Sequence, residues 1–138
     1  MSRRSSNKDP AEGIRQALGK HTKILLKTAV KLEKGGDKTD NRIIVLTPHR
    51  LYIMTAKVPS KIDHHFHFLD IAGIESKKPN QVVFKINEKS YSFRPAMETG
   101  GSEIVDEIIF TLASAIRNIF PGVLLANVIP KVYVSNNY

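Results

Sequence analysis

The sequence SEIVDEIIFTLASAIRNIF, residues 102–120, predicts one long amphipathic helix. Its apolar side chains recur at the 3.6-residue spacing of an α-helix. That spacing places on one stripe Ile104, Val105, Ile108, Ile109, Leu112, Ala115, Ile116 and Ile119. Ser102 is the predicted N-cap, Pro121-Gly122 ends the helix, and Phe110 projects opposite the stripe, where it is either exposed or covered by another segment. A stripe of this width needs a second layer to pack against.

The residues that precede the helix, from Lys23 to Pro95, predict seven successive β-strands. In KILLKTAVKLEK (23–34), apolar residues alternate with Lys23, Lys27 and Lys31, the pattern of a strand with one buried face. The turn formers of GGDKTDN (35–41) predict a hairpin loop after this strand. The remaining strands are predicted over residues 42–47, 50–56, 62–69, 71–75, 81–87 and 90–94.

The two ends of the chain differ in character. Residues 1–8 are polar and basic and predict a disordered start, whereas Asp9 and Pro10 begin a short helix that Gly19 ends. Gly13 weakens this helix, so it needs a surface to pack on. Residues 122–138 hold too many apolar side chains for a solvated tail: either they pack back on the domain, or the chain is a fragment whose next domain would cover them, which we favour. The predicted organisation is therefore 1–8 disordered, 9–120 one domain and 121–138 a linker.

The composition limits the possible functions. The chain has 138 residues and no cysteine, which excludes disulfides and thiolate chemistry and suits a reducing compartment. No apolar run approaches the ~20 residues that cross a bilayer, so we expect a cytoplasmic protein. Of the net charge of +8, residues 1–42 carry eleven Lys and Arg against five Asp and Glu. An excess concentrated in one region points to a polyanionic partner, although ordinary solvated lysines are the alternative.

No pattern in the sequence indicates catalysis. The chain has no G-x-S-x-G, phosphate-binding glycine loop or H-E-x-x-H motif, so we predict neither an enzyme nor a bound cofactor. His64, His65 and His67 invite a metal interpretation, but no second ligand cluster accompanies them, and we predict no metal site. Their protonation would instead add positive charge. The strands lack aromatic residues interleaved with the lysines, so we do not expect a nucleic-acid partner.

The order of seven antiparallel strands and then one helix is typical of few small folds. We predict an α+β, mainly β domain: a pleckstrin-homology (PH)-like barrel, closed by the C-terminal amphipathic helix and preceded by a short N-terminal helix. The ordered phrases VKLEKGGDKTDNRIIVLT (30–47), RLYIMTAKVPSKID (50–63) and RNIFPG (117–122) also resemble the N-terminal domain of the CARMIL family. Members of that family are leucine-rich-repeat regulators of actin capping protein.

The resemblance implies a non-canonical PH domain that is followed by leucine-rich repeats. It implies weak, non-selective binding to acidic phospholipids, which would localise an actin regulator at the plasma membrane and the actin-rich edge of migrating cells. The family's capping-protein interaction lies in downstream regions that this sequence does not contain. The alternative is a protein-interaction module that binds a peptide or an intramolecular partner in a groove beside the C-terminal helix.

Basic residues of the early strands are the candidates for lipid binding. The closely spaced [KR]-x-R step of phosphoinositide-reading PH domains is missing, because Asp40 stands two residues before Arg42. We therefore predict a diffuse basic surface rather than a stereospecific pocket, with lysines placed in the first and third loops. The predicted lipid-binding residues are Lys23, Lys27, Lys31, Lys34, Lys38, Arg42, Lys57 and Lys61.

Overall fold

The computed structural model describes residues 10–77, 80–96, 101–119 and 131–134. These described residues form two α-helices, eight strands and one 3₁₀ turn, Phe68–Asp70. In chain order these are α1 (Pro10–Leu18), β1 (Leu26–Gly35), β2 (Lys38–Leu46), β3 (Arg50–Thr55), β4 (Ile62–His67), β5 (Ile71–Lys77), β6 (Gln81–Ile86), β7 (Lys89–Pro95), α2 (Gly101–Ile119) and β8 (Lys131–Val134). The predicted strands are all present, and α2 begins and ends within one residue of its prediction.

All eight strands belong to one sheet in the order β4-β3-β2-β1-β7-β6-β5-β8. The first seven strands pair antiparallel with their neighbours, which confirms the PH-like arrangement. The sheet is not closed into a ring, however, because no ladder joins β4 to β5 in the described part of the chain. The 3₁₀ turn redirects the chain between these two strands.

The main core lies between the inner face of the sheet and α2. Val30 and Leu32 of β1 are buried, as the alternation predicts, and Phe84 and Phe93 meet edge to face at 6.0 Å. The predicted helix stripe supplies Val105, Ile108, Leu112, Ala115 and Ile116 to this same cluster. Phe110, on the opposite side of α2, is 71% exposed, which decides between its two interpretations.

The β1–β2 hairpin differs from its prediction. The turn consists of Gly36 and Asp37, with Gly35 paired to Lys38, so most of the predicted loop 35–41 belongs to β2. Gly35 and Gly36 adopt φ values of 105° and 60°, which glycine tolerates and which allow the chain to reverse in two residues. Lys34 and Lys38 therefore lie on strand ends, not in a loop as predicted.

A second, smaller core lies on the outer face of the sheet. Ile43, Val45 and Met54 point away from the main core, and Ile14 of α1 packs on them and is fully buried. α1 thus has the supporting surface that its Gly13 requires. Ala17 of the same helix is exposed.

One strand lies within the apolar C-terminal segment. β8 pairs in parallel with β5, with Gly73 opposite Lys131 and Ser76 opposite Val134. Residues 131–134 thereby extend the sheet, whereas residues 120–130 and 135–138 lie outside the described residues. Residues 1–8 also lie outside the described residues, so their disorder stays a prediction. The linker over 121–138 stays a prediction as well. No helix in the described part is long and apolar enough to cross a membrane.

Candidate functional site

Three chain reversals meet at one end of the sheet. β2 and β3 are antiparallel with Arg42 opposite Thr55, so the β3–β4 loop follows on the side of the β1–β2 turn. β1 and β7 are antiparallel with Leu32 opposite Phe93, which brings the β6–β7 turn to the same side. We call residues 34–38, 56–61 and 87–89 the loop end.

Aromatic side chains join β4 and β7 across the inner face near the loop end. The rings of His64 and Tyr91 lie 5.3 Å apart, and those of Phe66 and Tyr91 lie 5.4 Å apart. His64 and Tyr91 each lie two residues after the start of their strands, close to the loop end. Their contact links β4 to β7, two strands that do not pair with each other in the sheet. The β3–β4 loop and the β6–β7 turn are therefore held near each other by ring packing.

The eight predicted lipid-binding residues occupy two adjoining surfaces rather than one pocket. Lys27 and Lys31 are exposed on the outer face of β1, and Lys23 is exposed just before that strand. Lys31 pairs with Asn41, which precedes Arg42 in β2. The exposed lysines of β1 therefore adjoin the basic residues near the loop end. The remaining five lie at or beside the loop end: Lys34, Lys38, Arg42, Lys57 and Lys61.

Acidic residues already engage two of these cations. Arg42 Nε donates to Asp63 Oδ2 at 2.9 Å, and Arg42 Nη2 lies 3.5 Å from Asp40 Oδ2. Only 18% of the Arg42 side chain is exposed. Lys34 Nζ lies 3.6 Å from the same oxygen of Asp40. Arg42 therefore ties β2 to β4, and its charge is largely compensated within the protein.

The remaining lysines of the loop end have no acidic partner in the part of the chain that the structure describes. Lys38, Lys57 and Lys61 are exposed, and no carboxylate of the described residues lies within 4.0 Å of them. Lys89, at the start of β7, is exposed at the same end and is not among the predicted lipid-binding residues. The sequence did contain a signal, because Lys89 lies in the short connection between the predicted strands 81–87 and 90–94. In the structure that turn consists of Asn87 and Glu88, whose φ values are 52° and 67°.

A shallow pocket of about 460 Å³ opens beside Arg42, between the ends of β2 and β3. Its lining includes Asp40, Asn41, Arg42, Thr55 and Lys57. The carboxylate of Asp40 and the compensated guanidinium of Arg42 disfavour a ligand that carries several phosphates. The geometry thus gives no support to a stereospecific inositol-phosphate pocket.

The three histidines of β4 point in different directions. His64 packs with Phe66 and Tyr91, whereas the ring of His65 stacks on Tyr52 at 6.0 Å. His67 Nδ1 accepts from the backbone N–H of Leu69 at 3.1 Å and so caps the 3₁₀ turn. In the regions that the structure covers, no group of three or more His, Asp or Glu side chains could hold a metal ion.

The fold is that of a PH domain. The N-terminal PH domain of human ARAP2 superposes with a TM-score of 0.57, covering 87% of this chain and 96% of that one at 11% identity. A Vav1 exchange-factor structure containing PH and C1 domains superposes with a TM-score of 0.58, covering 81% of this chain and 34% of that one at 14% identity. At these identities the likeness concerns the fold alone.

The sequence narrows this class to one family. The pattern of the Carmil pleckstrin homology domain matches residues 24–121, and the chain belongs to that family. It is 29% identical over 111 residues to "Capping protein, Arp2/3 and myosin-I linker protein 3" of Mus musculus, and equally to the Homo sapiens protein. Each match covers 80% of this chain but only 8% of the relative, so the chain spans a small part of these proteins.

Proposed function

We propose that this domain binds acidic phospholipid membranes weakly and non-selectively through the loop end. The observation that carries the proposal is the convergence of Lys38, Lys57, Lys61 and Lys89, exposed at one end of the sheet. The outward lysines of β1, Lys27 and Lys31, extend this basic surface. The function is one of binding and localisation rather than catalysis.

The expected strength follows from the number of free cations. Each lysine near an anionic leaflet contributes about 1 kcal/mol, and the contribution falls off within a Debye length of roughly 10 Å at 0.1 M salt. Asp37 and Glu88, exposed at the same end, offset part of this attraction. Binding is therefore weak and salt-sensitive, and stable localisation needs several copies or a second anchor.

Low selectivity among anionic lipids follows from the pairing of Arg42 with acidic residues of the domain. In a head-group pocket an arginine would form two hydrogen bonds to one phosphate. Here the guanidinium faces Asp40 and Asp63, so discrimination between phosphoinositides has no structural basis at this position. We expect vesicles of equal charge density to bind equally well, whichever anionic lipid supplies the charge.

The biological role that we propose comes from the relatives. Their name links them to capping protein, Arp2/3 and myosin-I. We infer that this domain helps to hold a regulator of actin capping protein on the cytoplasmic side of the plasma membrane. Contacts with capping protein would belong to other parts of such a protein.

A second candidate function rests on β8. Residues 131–134 pair with the edge of β5 that faces away from β6, so this edge of the sheet accepts a strand from the domain's own chain. The edge would then serve an intramolecular partner or a peptide. Such binding depends on backbone hydrogen bonds, and replacement of the lysines would leave it unchanged.

Vesicle co-sedimentation tests the lipid proposal. Phosphatidylserine vesicles should pellet the domain at low salt, and neutral phosphatidylcholine vesicles should not. The double variant K57E/K61E should lose pelleting, whereas K20E/R117E, which changes the net charge equally at exposed residues outside the loop end, should retain most of it. Failure of the unaltered domain to pellet, or equal loss in both variants, would refute the proposal.

A further inference from the structure

The β3–β4 loop and the first residue of β4 carry apolar side chains that face solvent. Val58 is 48% exposed and Ile62 is 39% exposed. They account for two of the four large exposed hydrophobic residues among the described residues, the others being Leu69 and Phe110. In the sequence they alternate with cations, because Lys57 precedes Val58 and Lys61 precedes Ile62.

Hydrogen bonds hold this loop in one shape. Thr55 N–H donates to Lys61 O at 2.8 Å, and Lys61 N–H donates to Thr55 Oγ1 at 3.0 Å, which closes the base. Ser60 is buried, and its hydroxyl donates to Thr55 O. With Ser60 turned inward, Val58 and Pro59 form the outward tip. The exposure of Val58 therefore belongs to an ordered loop.

We propose that Val58, with Pro59 and Ile62 beside it, inserts into the interfacial region of an acidic bilayer while Lys57 and Lys61 contact its phosphates. This inference rests on the proposed function and assigns a second, apolar component to the same site. A bilayer fits this surface because it presents negative charge and hydrocarbon in successive layers, the same two chemistries that alternate along residues 57–62. The position of the loop at the basic loop end favours a membrane over an apolar protein groove.

Insertion has a measurable signature that charge alone does not produce. Salt screens the lysines, whereas the transfer of an apolar side chain out of water persists in salt. Removing the Val58 side chain from the hydrocarbon boundary should weaken partitioning on the order of fivefold to tenfold. The fraction that remains bound at raised salt should fall most.

The chain offers a closely matched control. Leu69 is 47% exposed but lies in the 3₁₀ turn after β4, at the opposite end of that strand from the β3–β4 loop. Val58→Ser should weaken pelleting with phosphatidylserine vesicles by the stated factor, and Leu69→Ser should leave it unchanged. Both variants should unfold at the urea concentration of the unaltered domain, because neither side chain is in the core.

A fluorescent probe reports the depth of the loop directly. The chain has no cysteine, so Val58→Cys and Leu69→Cys each provide a single thiol for an environment-sensitive dye. On phosphatidylserine vesicles the dye at residue 58 should shift to the blue and be quenched by lipids brominated on their acyl chains. The dye at residue 69 should stay in water.

The outcomes separate this inference from the proposed function. If the domain pellets but Val58→Ser binds equally well and the dye at residue 58 stays in water, insertion is wrong and binding is electrostatic alone. If the unaltered domain does not pellet, the proposed function fails and insertion fails with it. If ultracentrifugation instead shows a dimer that Val58→Ser dissociates, the apolar tip is a protein contact and the inference is overturned.

Discussion

A Cβ atom on Gly13 would lie 2.7 Å from the backbone nitrogen of Ser60. The same atom would also approach Pro59 Cα at 3.4 Å. Because both contacts are with backbone, no side-chain rotation can relieve them, and only glycine fits at this point of α1. The helix thus packs directly against the loop that carries Lys57, Val58 and Lys61.

Replacement of Gly13 by alanine should therefore destabilise the domain. In an isolated helix this substitution stabilises by roughly 1 kcal/mol, but overpacking costs about 1–3 kcal/mol. We expect a net loss, measured as a lower urea midpoint. Gln16→Ala, on the exposed side of α1, is the control and should be neutral or slightly stabilising. An equally or more stable G13A would show that α1 does not press on the loop.

Arg42 and Lys57 should separate stability from binding. Arg42→Ala removes the partner of Asp63 and should lower the free energy of unfolding by about 1–2 kcal/mol. Vesicle binding per folded molecule should change less than twofold. Lys57→Ala should show the reverse, with unchanged unfolding and weaker pelleting. Strong loss of binding in folded R42A would restore Arg42 as a lipid ligand.

A polar network on the outer face should matter to stability. Gln81 Nε2 donates to Glu33 Oε1 at 2.6 Å, and Ser92 Oγ donates to the same oxygen at 3.0 Å. Arg94 Nε contacts the other oxygen of Glu33. Glu33→Ala removes the carboxylate that these three donors share, and because all three are partly exposed, water can replace it, so the loss should be about 0.5–1.5 kcal/mol. A double-mutant cycle of Glu33→Ala with Arg94→Ala should give a non-zero coupling energy in urea unfolding; additive effects would contradict the network.

The two sides of α2 should respond differently to truncation. Leu112→Ala removes a fully buried side chain from the main core and should cost about 2–5 kcal/mol. Phe110→Ser should stay within about 0.5 kcal/mol of the unaltered domain, because that ring is exposed. Thermal or urea unfolding measures both. A large loss for F110S would mean that the ring is covered in solution.

Local periodicity was sufficient to predict most of the fold. In β1 the alternation identified Val30 and Leu32 as buried, and in α2 the 3.6-residue stripe identified Ile108 and Leu112. Both patterns depend on residues within a few positions of each other. The order of these elements was then enough to indicate a PH-like domain.

The parts that were missed depend on distant residues. The ion pair of Arg42 with Asp63 joins positions 21 apart, and nothing local distinguishes Arg42 from a free cation. The second core had a signal, since Ile43 and Ile44 are adjacent apolar residues on opposite faces of β2, and both need cover. β8 pairs with a strand 58 positions earlier, so its position in the sheet could not be predicted from its own four residues.

Because the sheet is open, β4 has an unpaired edge: in the described ranges no strand pairs with the side of β4 that faces away from β3. Exposed edges of this kind invite another copy to add a strand. Four of the six residues of β4 are polar: Asp63, His64, His65 and His67. Molecules gathered on one patch of membrane would meet at high local concentration, and we expect the polar composition of this strand to keep neighbouring copies from joining edge to edge.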